Sequence, residues 1–266
     1  MLGGMNTSTR TCRVLLPVCL LTCGLACDSS EPTLGKVAQA QTGGSPPSTR
    51  QEPPPPLPTV EGKRVPLNPT KTLFFETLPD GKRRVLIQSE VCLREGMLEV
   101  FLCRNQTKEH EAIVHADLDA RALHAALEAA GAKPGSPVQY QPQFKPPSGT
   151  RVRVLVQYEE NGKTVTRPAQ YWVRETKSRK ELAHDWVFAG SKLYPDPDEP
   201  QKQPFYGANS GDVICISNFP DALLDLPINS PKDNSDLVFE AWTERIPPLR
   251  TPVLVILEPV VEPKKP

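Results

Sequence analysis

The distribution of proline is the feature that most limits how this chain can fold. The chain has 266 residues and 31 prolines, and many of them crowd residues 28–68, which include Pro53-Pro-Pro-Pro-Leu-Pro58 and have no aromatic residue. A stretch so poor in large apolar side chains cannot offset the entropy of folding by burial. The sequence therefore predicts a disordered tether over residues 28–68, extended where the prolines are consecutive.

The first residues have the pattern of a secretion signal. Arg10 and Arg13 precede an apolar run from Val14 to Ala26, and this run is shorter than the roughly 20 residues that a membrane-spanning helix needs. A short apolar run behind basic residues is typical of a signal peptide. The sequence therefore predicts a signal peptide over residues 1–27.

The apolar run ends in a sequence that resembles a lipobox, where a cysteine thiol receives diacylglycerol before cleavage. Leu25-Ala26-Cys27-Asp28 makes Cys27 the predicted anchor, and Leu20-Leu21-Thr22-Cys23 leaves Cys23 as the alternative. Two or three acyl chains, such as palmitate, anchor a protein stably, whereas one chain is marginal. We therefore expect the lipid on Cys27 to be the only cofactor, and the protein to lie in the cell envelope, facing the periplasm or the exterior.

Charge and cysteine content limit the partners of the remaining chain. The 31 basic residues balance the 31 acidic residues, and only Cys92, Cys103 and Cys215 of the seven cysteines follow the leader. Nucleic-acid binding relies on many basic groups that displace counterions, so the balanced charge argues against it. The expected partners are the membrane, through the lipid, and an unknown envelope protein or small ligand.

Regular patterns occupy residues 69–259, and the short tail at 260–266 is predicted to be disordered. The clearest helix runs from Asp117 to Ala130, with an apolar stripe at helical spacing. Asp117 or Asp119 can accept the free amides at its start, and Gly131 ends it. This part of the chain is therefore predicted to be one compact domain with one clear helix.

Paired strands dominate the rest of this segment. Glu95-Gly96 and Asn161-Gly162 are turn signals, and each lies between two runs typical of strands. The register of the first hairpin leaves Cys92 and Cys103 staggered by about four residues, which disfavours a disulfide between them. The predicted hairpin strands are residues 84–93 with 97–103, and 151–158 with 164–173; further strands are predicted at 73–78, 186–191, 212–217 and 252–257.

Hairpins that do not alternate with helices indicate a particular class of fold. We predict an α+β domain with a mainly antiparallel β-sheet, on which the single helix packs. Thr107-Lys-Glu-His-Glu111, Gly131-Ala-Lys-Pro-Gly135 and Trp186-Val-Phe-Ala-Gly-Ser191, in this order, resemble the YdjY-like domain over roughly residues 75–259. That domain is found in secreted proteins and lipoproteins, many from planctomycete-type bacteria. The resemblance implies no established reaction.

The cluster Lys108-Glu-His-Glu111 is the strongest candidate site, because it combines four ionisable side chains in a predicted loop. A histidine between carboxylates can act as a base or bind a metal. His110 and His115 are five residues apart, so they cannot form the zinc pair that needs a spacing of four. His110, His115 and His184 are therefore only weak candidates for metal ligands. The alternative interpretation of the Lys108-Glu-His-Glu111 cluster is a solvated turn whose carboxylates favour the start of the next helix.

Trp186 and Ser191 are the remaining candidates for ligand contact or catalysis. Trp186 can stack on a ligand or fill the core, and Ser191 lacks the glycines that flank a nucleophilic serine in Gly-x-Ser-x-Gly. The sequence favours an extracytoplasmic binding or interaction domain without catalysis. The alternatives are a metal-assisted hydrolase that uses the Lys108-Glu-His-Glu111 cluster, and a structural component of the envelope.

Overall fold

A computed structural model of the chain describes residues 62–231 and 237–261. The predicted signal peptide, the anchor at Cys27 or Cys23, and most of the predicted tether and tail lie outside these residues. Among the described helices, none has the length and apolar character required to cross a membrane.

The described residues form many short strands and one α-helix. The strands are β1 Lys63–Pro66, β2 Leu73–Thr77, β3 Arg83–Val91, β4 Val100–Arg104, β5 Ala112–Ala116, β6 Pro134–Ser136, β7 Ser148–Gly149, β8 Arg151–Glu160, β9 Lys163–Pro168, β10 Val173–Glu175, β11 Trp186–Phe188, β12 Leu193–Tyr194, β13 Phe205–Tyr206, β14 Ile214–Cys215, β15 Leu224–Asp225, β16 Phe239–Ala241 and β17 Pro252–Pro259. The helix is α1 Ala120–Ala129, and 3₁₀ turns occur at Ala169–Trp172, Gly207–Ser210 and Thr243–Arg245.

The main sheet closes into a barrel, which corrects the predicted α+β class. Eight strands follow the order β3-β17-β8-β11-β15-β14-β4-β5, and β5 pairs with β3 to complete the ring. The β4–β5 and β14–β15 pairs are parallel, and the other neighbours in the ring are antiparallel. The described fold is therefore mostly β, with one helix beside a closed barrel instead of one helix on an open sheet.

The closing strand β5 was not recognised in the sequence, and the first predicted hairpin is wrong. Val114 of β5 is the register partner of Val91 in β3 and of Leu102 in β4, so β5 separates the two strands predicted to pair. The chain at the turn pairs with β16 instead, because the Ala241 amide donates to the Gly96 carbonyl at 2.9 Å. Pairing with β16 therefore replaces the tight turn between β3 and β4.

The second hairpin and the helix are confirmed. β8 and β9 pair in register around Asn161 and Gly162, which both have positive φ, as a tight hairpin turn requires. Helix α1 begins at the predicted cap, because the Asp119 carboxylate accepts the Arg121 amide at 2.8 Å. Gly131 follows the helix with φ of 100°. Local sequence signals therefore predicted these two elements correctly.

An aromatic core joins the barrel to its helix. The rings of Phe101 and Trp186 lie 5.8 Å apart, and those of Phe101 and Trp172 lie 6.3 Å apart. Leu123 and Leu127 of α1 are buried in the same cluster. The buried face of α1 therefore fixes the position of the opposite face of the helix, which carries Arg121 and His124.

Strand β1 extends the sheet beyond the ring and starts before the predicted domain boundary at Pro69. The carboxylate of Glu76 is fully buried in β2, where it accepts Arg64 Nε of β1 at 2.7 Å and also pairs with Arg84 of β3. Because a buried carboxylate requires such partners, this arrangement holds β1 against β2. The end of the predicted tether therefore belongs to the folded structure.

Candidate functional site

The loop between β4 and β5 places Lys108 among three carboxylates. Its Nζ lies 3.1 Å from Asp212 Oδ1 and 3.4 Å from both Glu99 Oε2 and Glu111 Oε1. The same ammonium lies 3.8 Å from the centre of the Phe219 ring, a cation–π contact. The sequence pointed to Lys108 and Glu111, but Glu99 and Asp212 join them only through the fold.

Electrostatics give Lys108 the role of a counterion. Burial lowers the pKa of Lys108, but the Asp212 and Glu111 carboxylates outweigh burial and hold this pKa above its ordinary value. Burial likewise raises the pKa of Asp212 and of Glu99, although Lys108 opposes both shifts. A general base must be available in its unprotonated form near neutral pH. The geometry therefore assigns Lys108 to ion pairing and gives no support to its use as a base.

The predicted histidines have separate surroundings. His110 is 78% exposed at its side chain, and its Nε2 lies 3.7 Å from Glu111 Oε2. His115 Nδ1 lies 2.5 Å from Glu109 Oε1, whereas His184 is exposed after β10. Across residues 62–231 and 237–261, no three His, Cys, Asp or Glu side chains are arranged to hold a metal ion. The structure therefore does not bring the three histidines together as a metal site.

Trp186 and Ser191 lie in different surroundings. The Trp186 side chain is fully buried, and its Nε1 donates to the Cys215 carbonyl at 2.7 Å, so the ring packs in the core. Ser191 follows β11 with φ of 55° and accepts the Ala208 amide at 2.9 Å. Only Ser191 of these two residues lines a cleft.

This cleft has a volume of about 390 Å³. Helix α1 contributes one side, the chain after β11 contributes the floor, and β13 with the residues before it contributes the other side. Gly190 has φ of 94°, and a Cβ there would lie 2.8 Å from the Cβ of Pro134, so glycine is needed at this bend. The lining residues are Arg121, His124, Gly190, Ser191, Lys192, Leu193, Gln203, Pro204 and Tyr206.

A hydrogen-bonded chain runs along the inner wall of the cleft. Tyr206 Oη donates to the Gly190 carbonyl at 2.8 Å and lies 2.7 Å from His124 Nδ1. Because the phenol has one proton, His124 Nδ1 is the donor to Tyr206, which leaves the lone pair on Nε2. This Nε2 lies 3.7 Å from Glu128 Oε2. The wall is therefore polar, with its donors and acceptors in defined roles.

Burial keeps both rings of this wall neutral. It lowers the pKa of His124 below its ordinary value of 6.5, although Glu128 opposes the shift. Burial also raises the pKa of Tyr206. A neutral imidazole and a neutral phenol can each exchange hydrogen bonds with a ligand without the loss of a buried charge.

Arg121 supplies the charge at the mouth of the cleft. Its Nη2 donates to the Pro204 carbonyl, whereas its buried Nε has no hydrogen-bond acceptor among the described residues. Buried donors are nearly always satisfied in folded proteins. Arg121 and Tyr206 were not predicted from the sequence, because 85 positions (206 − 121) separate them and neither stands in a recognisable motif.

Comparison with known families identifies the class of this domain. The family model of the YdjY domain matches residues 80–258, more than half of the chain, so the chain belongs to the YdjY domain family. Comparisons with curated proteins and with solved structures give no match. The resemblance inferred from the three motifs is therefore confirmed at the level of the domain.

We predict that Lys108→Met destabilises the protein more at pH 8 than at pH 5. Without the ammonium, three carboxylates are left close together, and protonation relieves their repulsion at low pH. We expect a loss of about 2 kcal/mol at pH 8, less than for a fully buried pair because the site is partly solvated. Denaturant unfolding at both pH values measures the loss. Lys163→Met, at an exposed position of β9, is the control, and an equal loss at both pH values contradicts the prediction.

A second prediction concerns His124. The pKa of His124 is lower in the folded state than its ordinary 6.5, so the unfolded chain binds more protons as the pH falls below about 6.5. The contribution of His124 to the free energy of unfolding therefore decreases on acidification through this range. His124→Gln should flatten the fall in melting temperature between pH 7 and pH 5. His110→Gln, at the exposed histidine, should keep the wild-type slope; equal slopes in wild type and His124→Gln would refute the assignment.

Proposed function

We propose that this YdjY-domain protein is a lipid-anchored envelope protein whose folded domain binds a small anionic ligand in the cleft beside α1. The observation that carries the proposal is the buried Nε of Arg121, a donor without an acceptor among the described residues, at the edge of a cleft of about 390 Å³. Pockets of this size are typical of small-molecule sites.

The charges at the cleft favour an oxygen anion. The guanidinium of Arg121 is fixed at one end by its bond to Pro204, so its positive charge can pair with a carboxylate or phosphate group in the cleft at little entropic cost. Lys192 lines the same cleft and adds a second positive charge. Hydrogen bonds between charged groups are about twice as strong as neutral ones. We therefore expect the ligand to place its anionic group near Arg121.

The remaining surface favours an apolar part of the same ligand. Leu193 of β12 is 59% exposed and Phe205 of β13 is 52% exposed, although both are large apolar side chains. Leu193 lines the cleft beside Pro204. Large apolar groups left in water next to a cleft are typical of a binding site. The ligand is therefore an amphipathic anion.

The proposed location follows from the leader and the tether. A lipid on Cys27, or on Cys23 as the alternative, would anchor the chain, and residues 28–61 would space the domain from the membrane. Residues of the polyproline type make semi-rigid spacers. A domain held in this way meets ligands outside the cytoplasm, which agrees with a binding role in the envelope.

The binding proposal predicts that Arg121→Gln weakens the binding of a model ligand to the cleft. N-acetyl-L-phenylalanine carries a carboxylate and an aromatic ring, and its uncharged amide is a matched control ligand. Loss of one charge-assisted hydrogen bond should weaken binding of the acid about 10- to 100-fold, as measured by calorimetry. Arg153→Gln, at an exposed ion pair with Glu258, should bind the acid like wild type. Equal affinities for wild type and Arg121→Gln, or for acid and amide, would contradict the proposal.

The anchor has its own test. Cys27→Ser removes the thiol that would carry the lipid, so the variant should leave the membrane fraction while wild type stays in it. Cys23→Ser is the matched control and should remain with the membranes. Release by Cys23→Ser alone would move the anchor to Cys23, and membrane retention of both single variants and of the double variant would refute lipid anchoring.

A further inference from the structure

A second cleft, of about 450 Å³, lies at one end of the barrel. It is bordered by the turn between β2 and β3, by the residues that end α1, and by the chain at the end of β17. Its lining includes one acidic residue, Glu258, and four basic residues, which are Lys82, Arg83, Arg84 and Arg153. We call it the basic cleft, because positive charge is in excess along its wall.

Part of this charge is held in a row of alternating ion pairs. Glu258 Oε1 lies 3.4 Å from Arg84 Nη1, and Glu258 Oε2 lies 3.0 Å from Arg153 Nη2. Arg84 also pairs with the buried carboxylate of Glu76, which accepts Arg64 on its other side. The row has three positive and two negative side chains, so it keeps one net positive charge. The side chain of Arg153 ends the row and is 58% exposed.

Arg83 and Lys82 add charge that is less neutralised. Arg83 Nη1 donates to the Ala129 carbonyl at 3.2 Å, which is the one hydrogen bond of this side chain within the described residues. A guanidinium has five N–H donors, so most of them are available to an anion. Lys82 is 77% exposed and pairs with Asp80, and such exposed ion pairs are weak. Arg83 is therefore the best-placed donor for an anion in the basic cleft.

The predicted tether joins the folded domain at this same end. Lys63 is exposed and is the register partner of Thr77, which directly precedes Leu78 of the cleft. Val261, at the other end of the described chain, also lines the cleft and is 56% exposed. A chain anchored near its N-terminus therefore brings this end of the domain to the membrane first.

The basic cleft is separate from the cleft that contains Arg121. Arg121 lies in the first turn of α1, whereas Ala130 and Gly131, beyond the last turn, line the basic cleft. The helix between these positions spans about 14 Å, at 1.5 Å per residue. The described residues that line one cleft do not line the other. An anion in the basic cleft is therefore independent of the ligand proposed for the Arg121 cleft.

We propose that the basic cleft and Lys63 form a docking surface for membranes that contain anionic phospholipids, with a headgroup phosphate bound near Arg83. The planar guanidinium matches the oxygens of a phosphate group. Each basic side chain close to an anionic membrane strengthens binding about fivefold. The balanced charge of the whole chain does not oppose this docking, because the excess of positive charge is local.

The test uses the full chain held on vesicles. Cys23→Ser and Cys27→Ser remove both candidate anchors, and an N-terminal hexahistidine tag binds a nickel-chelating lipid, so attachment does not depend on acylation. The vesicles contain phosphatidylcholine either alone or mixed with phosphatidylglycerol. Lysines are acetylated with an N-hydroxysuccinimide ester, and mass spectrometry gives the rate for each lysine.

The expected result is protection of the lysines at the docking surface. Lys82 and Lys63 should react about fivefold or more slowly on vesicles with phosphatidylglycerol than on phosphatidylcholine alone. Lys163 and Lys177, at exposed positions outside this surface, should react equally on both. The protection should disappear in 1 M salt, where charges are screened beyond about 3 Å.

Variants assign the protection to the cleft. Arg83→Gln combined with Arg153→Gln removes two exposed charges, so it should weaken docking about 25-fold and abolish the protection of Lys82. Arg83→Lys combined with Arg153→Lys keeps both charges and should retain protection, as should Arg121→Gln.

Four results would overturn the proposal. The first is equal acetylation of Lys82 on the two kinds of vesicle, and the second is equal protection of Lys163. The third is protection that survives Arg83→Gln with Arg153→Gln or is lost in Arg121→Gln. The fourth is protection of Lys82 by soluble glycerol 3-phosphate on phosphatidylcholine vesicles, which would make a free phosphate compound the ligand in place of a membrane.

Discussion

The pairing of β5 with β3 is the constraint on which the rest of the structure depends. This pairing joins Val114 to Val91 and closes an open sheet into a ring. The other edge of β5 pairs in parallel with β4. A closed sheet leaves no unpaired edge in the ring. The same five residues also set the loop that carries Lys108 and the start of α1, because both adjoin β5 directly in the chain.

The cleft follows from this arrangement through the helix. Leu123 and Leu127 bury one face of α1 in the core, so Arg121 and His124 are held at the other side of the helix. The segment after β11 is fixed independently, because the Gly190 amide donates to the Leu223 carbonyl at 3.1 Å. Binding residues on short segments held by a rigid scaffold are typical of functional sites.

The elements that the sequence predicted correctly are those with local signals. The Asp119 cap, the Gly131 stop and the Asn161-Gly162 turn each act within a few residues of the backbone they control. Barrel closure has no such signal, since β5 has only five residues between a charged loop and a helix. The turn at Glu95-Gly96 misled the prediction because β16, far along the chain, supplies the actual pairing partner.

The candidate site was predictable only in part for the same reason. The run of charges at Lys108 and Glu111 was visible in the sequence, but the fold turns it into an ion-pair cluster through Asp212. Ser191 was named for a catalytic pattern that it does not complete. Its cleft depends on Arg121 and Tyr206, and such non-local contacts between residues far apart in sequence appear only after the barrel is assembled.

The most direct test of this account is the NMR signal of the Arg121 Nε–H group during titration with N-acetyl-L-phenylalanine. The signal is assigned by its loss in Arg121→Gln. The account predicts that it shifts downfield and saturates as a carboxylate oxygen becomes its acceptor, while the Arg153 signal stays in place. An Arg121 signal that remains unchanged while the ligand binds would contradict the assignment of this cleft as the anion site.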